Sequence, residues 1–191
     1  MDFEGIFKRS WDVFKENIAA YVVATLIAFI GSIFIVTIAP LFYGLAYMAV
    51  KGMGGEKVEI NDLFEGFNNF VKSWVFFILF AIIVGIGFMF LVLPGIVLSI
   101  LMIYALPLLV IRGYGVMDSI KESIEISKNN FVDTLVLAII LWVISAIGGM
   151  TYVGSLLTTP FYFLALVAAL EAQMGAEGSY TAEYTEVSDV E

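Results

Sequence analysis

Residues 73–111 read SWVFFILFAIIVGIGFMFLVLPGIVLSILMIYALPLLVI, and this stretch of 39 residues contains no Asp, Glu, Lys or Arg. Two other stretches share this property, Asn17–Val50 with 34 residues and Thr134–Leu170 with 37. A helix needs about 20 apolar residues to cross a hydrocarbon core about 30 Å thick, so each stretch accommodates two passes. The sequence predicts an all-α integral membrane protein with about six transmembrane helices, arranged as three tandem hairpins.

The composition indicates one polytopic membrane domain, residues 1–174. Hydrophobic residues make up 61% of the chain and charged residues 14%, against about 25% charged residues in a soluble domain. The net charge of -9 arises partly from residues 175–191, which we expect to form an acidic, disordered tail. The acidity gives no reason to expect a nucleic-acid partner. The chain has no Cys and no His, which excludes disulfides and most zinc sites.

Each uncharged stretch follows a charged segment with the pattern of an amphipathic helix. We expect these three helices to lie at the membrane interface, where the residues that mark them are Trp11, Lys15, Phe67, Lys72, Trp74, Ser123 and Lys128. In the second segment, Asp62 and Glu65 have the spacing of a capping box.

The lysines Lys15, Lys72 and Lys128 are spaced 57 and 56 residues apart. This spacing predicts an internal repeat with approximate units 1–57, 58–114 and 115–174. The alternative is that hairpins of bilayer length recur near this period without duplication.

Proline and glycine are expected to mark turns and hinges between or within the spans. These residues are Pro40, Pro94, Gly95, Pro107, Gly148, Gly149 and Pro160. They place the spans near 18–38, 40–53, 74–92, 95–111, 132–149 and 155–173. The short segment 40–53 is either a span or a re-entrant segment.

All nine Lys and Arg residues fall on one predicted side, together with both termini. Under the positive-inside rule that side is cytoplasmic. The sequence therefore predicts a multi-pass protein of the cell membrane, with cytoplasmic N- and C-termini and the amphipathic helices on the cytoplasmic side.

No residue is predicted to be catalytic, to bind a metal or to bind a cofactor. An ionisable side chain inside a span would mark a functional site. The three uncharged stretches, which make up most of the predicted spans, contain no Asp, Glu, Lys or Arg. An intramembrane enzyme would also need an activated nucleophile, a metal or an acid pair. We therefore expect a protein that is not an enzyme.

Part of the chain resembles known membrane families. The residues that carry the resemblance are Leu93-Pro94-Gly95-Ile96, Tyr104-Ala-Leu-Pro107-Leu-Leu-Val-Ile, Asp118-Ser-Ile-Lys-Glu-Ser123 and Ser127-Lys-Asn-Asn130. They resemble prokaryotic multi-pass families of uncharacterised function, including families similar to the membrane domain attached to some glycerophosphodiester phosphodiesterases. The resemblance covers about residues 60–172 and implies no catalytic residue here, because the phosphodiesterase chemistry would reside in a separate soluble domain.

Two functional hypotheses follow. The first is a non-enzymatic scaffold or accessory protein that organises membrane lipid or a membrane-protein partner through its hairpins and amphipathic helices. The alternative is a transporter or channel for a lipid-like or uncharged solute, which predicts a cavity reaching the middle of the membrane.

Overall fold

The protein, described by a computed structural model over residues 1–113 and 115–175, is built from α-helices. No strand occurs among these described residues. The helices are α1 (Phe3–Glu16), α2 (Ile18–Gly31), α3 (Ile35–Met53), α4 (Glu65–Asn68), α5 (Phe70–Phe90), α6 (Val92–Leu101), α7 (Ala105–Arg112), α8 (Val116–Asn129), α9 (Phe131–Gly149) and α10 (Tyr152–Met174). The expected acidic tail lies, beyond Gly175, outside the described residues.

Five segments of the described chain are long and apolar enough to cross a membrane, by length and composition. They are Ile35–Met53, Phe70–Phe90, Val92–Arg112, Phe131–Gly149 and Val153–Met174. A sixth is reached only if α1 and α2, which are bent by 87° at their junction, count as one segment. The prediction of an all-helical chain with several apolar helices of bilayer length is confirmed.

The first predicted span, 18–38, is wrong in length. Helix α2 ends at Gly31, and the chain turns at Ser32–Phe34, where the Phe34 N–H donates to the Gly31 carbonyl at 2.9 Å. The next helix begins at Ile35. Sequence periodicity missed this turn because its residues are as apolar as the helices on either side.

The prediction that Pro40 marks a turn is also wrong, because α3 continues through it. A proline inside a helix leaves the carbonyl four residues earlier without its usual donor. Here that carbonyl belongs to Val36, and the indole Nε1–H of Trp74 donates to it at 3.0 Å. The α5 side chain thus replaces the bond that the proline removes. Pro160 likewise lies inside α10 and does not end it.

Pro94 and Gly95 lie close to a turn but do not form it. The chain reverses at Leu91, and Pro94 occupies the first turn of α6, where a missing N–H costs nothing. Gly95 faces α5, since a Cβ at this position would collide with the ring of Phe88. The absence of a side chain at Gly95 lets α5 and α6 pack closely.

The remaining turn residues lie at helix ends. Pro107 is the third residue of α7 and follows a break of three residues, 102–104, between α6 and α7. Gly148 and Gly149 are the last two residues of α9, directly before the turn to α10.

Three junctions between a charged segment and an apolar helix have the same local structure. Asn17, Asn69 and Asn130 each end one helix and begin the next, with φ between -103° and -122° and ψ between 24° and 40°. Each side-chain Nδ2–H donates to the carbonyl four residues earlier, at 3.2 to 3.3 Å. The same carbonyl also accepts the backbone N–H of the asparagine, so the side chain adds a second donor to it at the helix C-terminus.

These junctions do not keep the spacing of the lysines. Lys15 and Lys128 lie two residues before their asparagines, but Lys72 lies three residues after its own. The repeat units 1–57, 58–114 and 115–174 therefore stay a prediction, and the lysines are not equivalent positions in the structure.

The second charged segment is shorter than an amphipathic helix. It consists of a 3₁₀ turn, Ile60–Phe64, and the single turn of α4. Its capping box joins Glu59 and Asp62 rather than Asp62 and Glu65, because the helical turn begins earlier than the sequence spacing indicates. We call residues 54–69 the connector.

Helix α3 lies at the centre of the fold and packs against α2, α5, α7 and α10. Nearly all of its residues from Ala39 to Met53 are buried. Helix α5 packs mainly against α6, and α9 against α10. These contacts create a space between the two outer helix pairs.

Candidate functional site

A cavity of about 830 Å³ lies between α5–α7 and α9–α10, with one side chain from α3. Most of the residues around it are apolar, and eight are aromatic: Phe42, Phe76, Phe77, Phe80, Phe88, Trp142, Tyr162 and Phe163. On α5 the lining extends from Phe76 to Phe88, about 18 Å at 1.5 Å per residue. The volume is typical of sites that enclose a small organic ligand, about 300 to 1,000 Å³.

Contacts between aromatic rings hold the cavity wall together. The Phe42 ring meets those of Phe77 and Phe163 edge-on, with centroids 6.2 and 6.5 Å apart. Phe76 contacts Phe80 at 6.0 Å. Such pairs are favourable by about 0.5 to 1.5 kcal/mol beyond the burial of their area, so the wall is formed without a ligand.

Few polar atoms reach this cavity. The Ser99 hydroxyl donates to the Gly95 carbonyl at 2.8 Å and is thereby satisfied. Ser145 and Tyr162 also line the cavity, and each carries a hydroxyl group. Two donors in an apolar cavity can orient a ligand that carries one or two acceptor oxygens.

The break before Pro107 leaves the Ile103 carbonyl without its usual donor. Pro107 has no N–H to donate to the carbonyl of Ile103, and both residues line the cavity. No backbone bond to that carbonyl forms within the described chain. The residues that line the site therefore include one carbonyl without a backbone donor as well as two hydroxyl groups.

One edge of the cavity lies on the outer surface of the bundle. Trp142 is 72% exposed and Ile139 53%, although both line the cavity. A long apolar ligand can therefore extend from the cavity onto the surface between α6 and α9.

The predicted interfacial residues lie elsewhere, and most make structural contacts. The Trp11 ring packs edge-on against Phe161 at 6.2 Å. Lys15 pairs with Asp12 at 2.9 Å. Phe67 contacts the ring of Phe64. None of these residues lines the cavity.

Two of the others, Lys72 and Ser123, join helix ends. The Lys72 ammonium donates to the Gly113 carbonyl at 2.8 Å, and the buried Ser123 hydroxyl donates to the Leu101 carbonyl at 2.9 Å. Lys128 is exposed in the last turn of α8.

A network of charged and polar contacts joins several helix ends. The Arg9 guanidinium donates to Glu171 at the end of α10 and to the Met53 carbonyl at the end of α3. Lys51 pairs with Asp62 at 2.8 Å. We call this part of the bundle, with Lys72 and Arg112, the charged end. Its ion pairs connect neighbouring elements.

Met1 and Gln173 extend this network. The N-terminal ammonium pairs with Asp133 at 3.2 Å, and the Gln173 amide donates to the Tyr104 hydroxyl at 2.9 Å and to Thr134 at 3.2 Å. Within the described residues, no three His, Cys, Asp or Glu side chains are grouped so as to hold a metal ion.

The transport hypothesis predicted a cavity, but sequence reasoning did not locate it or identify most of the residues that line it. The only signal was the density of phenylalanine on one side of α5, at Phe76, Phe77 and Phe80. In a helix that is apolar all round, such a cluster is not distinguishable from residues that face lipid.

Comparison with known proteins gives one match. Residues 63–182, more than half of the chain, match a family described as a domain of unknown function, DUF7847. The match covers α5–α10 and all of the cavity lining except Phe42. No curated protein and no solved structure matches the chain. The resemblance to glycerophosphodiester phosphodiesterase membrane domains stays a prediction. The chain belongs to the DUF7847 family.

Proposed function

We propose that this protein is a non-enzymatic, multi-pass protein of the cell membrane that organises lipid by holding an apolar chain in the cavity between α5–α7 and α9–α10. The observation that carries the proposal is the cavity itself, with its aromatic wall and its edge at Trp142.

The outer surface of the bundle supports insertion into a bilayer. Exposed apolar side chains follow α5 from Val71 to Phe90 and α9 from Val132 to Ile147. A contiguous apolar surface of this extent is not stable in water, but it matches the hydrocarbon of a membrane. Each of these two helices is also about 30 Å long, the thickness of that hydrocarbon.

The charged end supports an orientation with cytoplasmic termini. Contacts of Arg9, Lys51 and Lys72 bring the N-terminal helix, the connector and the end of α7 together at that end. The turns at Leu91 and Met150 carry no basic residue. By the positive-inside rule, the charged end faces the cytoplasm.

The chemistry of the cavity favours a lipid chain with oxygen atoms near one end. An acyl chain supplies the apolar surface that the rings require, and its ester oxygens are acceptors for the hydroxyls of Ser145 and Tyr162. The exposed edge at Ile139 lets the remainder of the lipid stay in the bilayer. A membrane-protein partner would bind around this lipid, at the same edge.

Transport of a lipid-like or uncharged solute is the second candidate function. The observation that favours it is the break between α6 and α7 before Pro107, because residues 102–104 line or adjoin the cavity. Non-helical backbone at membrane depth is a feature of many transporters. Flux of an uncharged lipid analogue through liposomes that contain the protein would favour transport over binding alone.

The experiment that tests lipid binding places a bulky side chain in the cavity. Ala138 lines the cavity, whereas Ala146 is exposed on the same helix, so Ala138→Phe and Ala146→Phe form a matched pair. Native mass spectrometry of protein released by mild detergent from phosphatidylethanolamine–phosphatidylglycerol bilayers would report the bound lipid. We expect bound lipid on the natural chain and on Ala146→Phe, and its loss on Ala138→Phe. Equal lipid retention by both variants would contradict the proposal.

A further inference from the structure

Of the first two apolar helices, α2 is too short to cross a membrane by itself, whereas α3 has 19 residues, the same length as α9. Helix α2 has 14 residues, a length of about 21 Å, whereas the hydrocarbon core is about 30 Å thick. Helix α1 precedes it across a bend of 87°, so α1 adds little length along the axis of α2.

The connector packs against the middle of α3 rather than against its end. A Cβ at Gly66 would collide with the carbonyl oxygen of Pro40, and a Cβ at Gly44 would collide with the backbone of Leu63. Backbone therefore lies directly on backbone at both points. The connector also carries charge at the half-buried Glu65 and at the exposed Glu59, which requires contact with water or lipid headgroups.

The first turn of α5 limits the depth of α3 independently. The Trp74 indole donates to the Val36 carbonyl, which lies two residues after the turn between α2 and α3. Two residues before Trp74, the Lys72 ammonium donates to the Gly113 carbonyl at the charged end. The start of α3 is therefore within one side-chain length of the charged end of α5.

The turn itself has the properties of backbone immersed in hydrocarbon. Ile33, Phe34 and Ile35 are 76%, 70% and 72% exposed, yet the turn has no charged residue. The N–H groups of Ser32, Ile33 and Phe34 all donate to carbonyls within the turn or α2.

The Thr37 hydroxyl completes the turn. The hydroxyl oxygen lies 2.5 Å from the Gly31 carbonyl oxygen and 2.7 Å from that of Phe34. The backbone N–H of Thr37 also donates to the Phe34 carbonyl. In lipid every backbone polar group needs an internal partner, and this turn supplies most of them from its own atoms.

We propose that α2 and α3 form a re-entrant pair, which enters the bilayer from the charged end and turns back at residues 32–34 inside the hydrocarbon. Phe34 is six residues from Pro40, so the turn lies at most about 9 Å along the helix beyond the connector. The four segments that cross the bilayer are α5, α6–α7, α9 and α10. The inference rests on the membrane insertion proposed above.

Single cysteines test the depth of the turn, because the chain has no cysteine of its own. Phe34→Cys labels the turn of the re-entrant pair, Ile33→Cys is a second variant in case the first fails to fold, and Met150→Cys labels the exposed turn between α9 and α10. Each would be treated with a membrane-impermeant maleimide in sealed, oriented proteoliposomes, from each side separately, and again in detergent.

We expect Met150→Cys to react from the side opposite the charged end. Phe34→Cys should react from neither side, at less than about one-tenth of its extent in detergent, because the turn lies in hydrocarbon. Reaction of Phe34→Cys or Ile33→Cys from the same side as Met150→Cys would show a full span, and reaction from the charged side would show a surface turn. Either result overturns the re-entrant pair. Reaction of Met150→Cys from the charged side would instead overturn the proposed crossing of α9 and α10, so the two failures are distinguishable.

Discussion

The α2–α3 and α9–α10 pairs arise from similar sequences but adopt different structures. Both consist mainly of an uncharged stretch, of 34 and 37 residues, both follow a capping asparagine, and both carry a proline in their second helix. Their first helices nevertheless have 14 and 19 residues. The first pair also has the connector packed against the middle of its second helix. The length of an uncharged stretch thus sets the greatest length that a helix pair can have. Packing against the rest of the chain sets how much of that length the pair uses.

The largest expected effect comes from the backbone contact that fixes the depth of α3. Gly66→Ala places a methyl group on the Pro40 carbonyl oxygen, and neither backbone can rotate away. We expect it to lower the free energy of unfolding by about 3 kcal/mol, the upper range for overpacking. In the other pair, Gly148→Ala meets the side chain of Thr158, so a smaller loss is expected. Thermal unfolding in detergent would compare the two.

A control for this comparison is available in α5. A Cβ at Gly85 meets no atom within 4 Å, so Gly85→Ala should leave stability unchanged or raise it by up to about 1 kcal/mol. If Gly66→Ala were as stable as Gly85→Ala, the connector would not be packed against α3 as described.

An effect of intermediate size concerns the bond between Trp74 and the Val36 carbonyl. Trp74→Phe removes the donor and leaves the carbonyl unpaired, at a cost of about 1 kcal/mol. In the Pro40→Ala background the new N–H at position 40 bonds to the same carbonyl, so the loss should fall by about half. A double-mutant cycle measured by thermal unfolding gives this difference. Trp142→Phe, at an exposed indole, controls for the change in ring size. Equal losses of stability from Trp74→Phe in the natural and the Pro40→Ala backgrounds would contradict the interpretation that the Trp74 indole replaces the backbone donor lost at Pro40.

The smallest expected effect concerns the asparagine junctions that precede the apolar helices. Asn17→Ala, Asn69→Ala and Asn130→Ala each remove one side-chain bond to a helix carbonyl, and Asn17→Ala also removes the acceptor of the Val58 N–H. We expect losses of about 0.5 to 1 kcal/mol at Asn69 and Asn130, and a somewhat larger loss at Asn17. Asn68→Ala is the control, since its amide bonds only to the exposed Glu65 carboxylate. A loss at one junction several times larger than at the others would show that the junctions are not equivalent.

Much of the architecture could be predicted from composition and charge. Uncharged stretches of 34 to 39 residues are long enough only for pairs of apolar helices, and the charged segments between them mark where the chain leaves the apolar environment. The amphipathic pattern of residues 3–16 and 116–129 likewise predicted α1 and α8, because a helix at a boundary must divide its polar and apolar faces.

The candidate site was not predictable in the same way. Phe42, Phe80 and Tyr162 lie on three different helices, and their convergence depends on how those helices cross. The sequence does contain the aromatic residues, but apolar side chains that face lipid and those that line a cavity have the same hydropathy.

The sequence by itself determined that this chain is helical, that its apolar helices occur in pairs and that its basic residues all lie outside the three uncharged stretches. Tertiary structure decided the turn at residues 32–34, the continuity of α3 through Pro40 and the cavity between the outer pairs. The physical reason is that hydropathy and charge are properties of each residue, whereas the donor that replaces the bond lost at Pro40, and the backbone that packs on Gly66, come from distant parts of the chain.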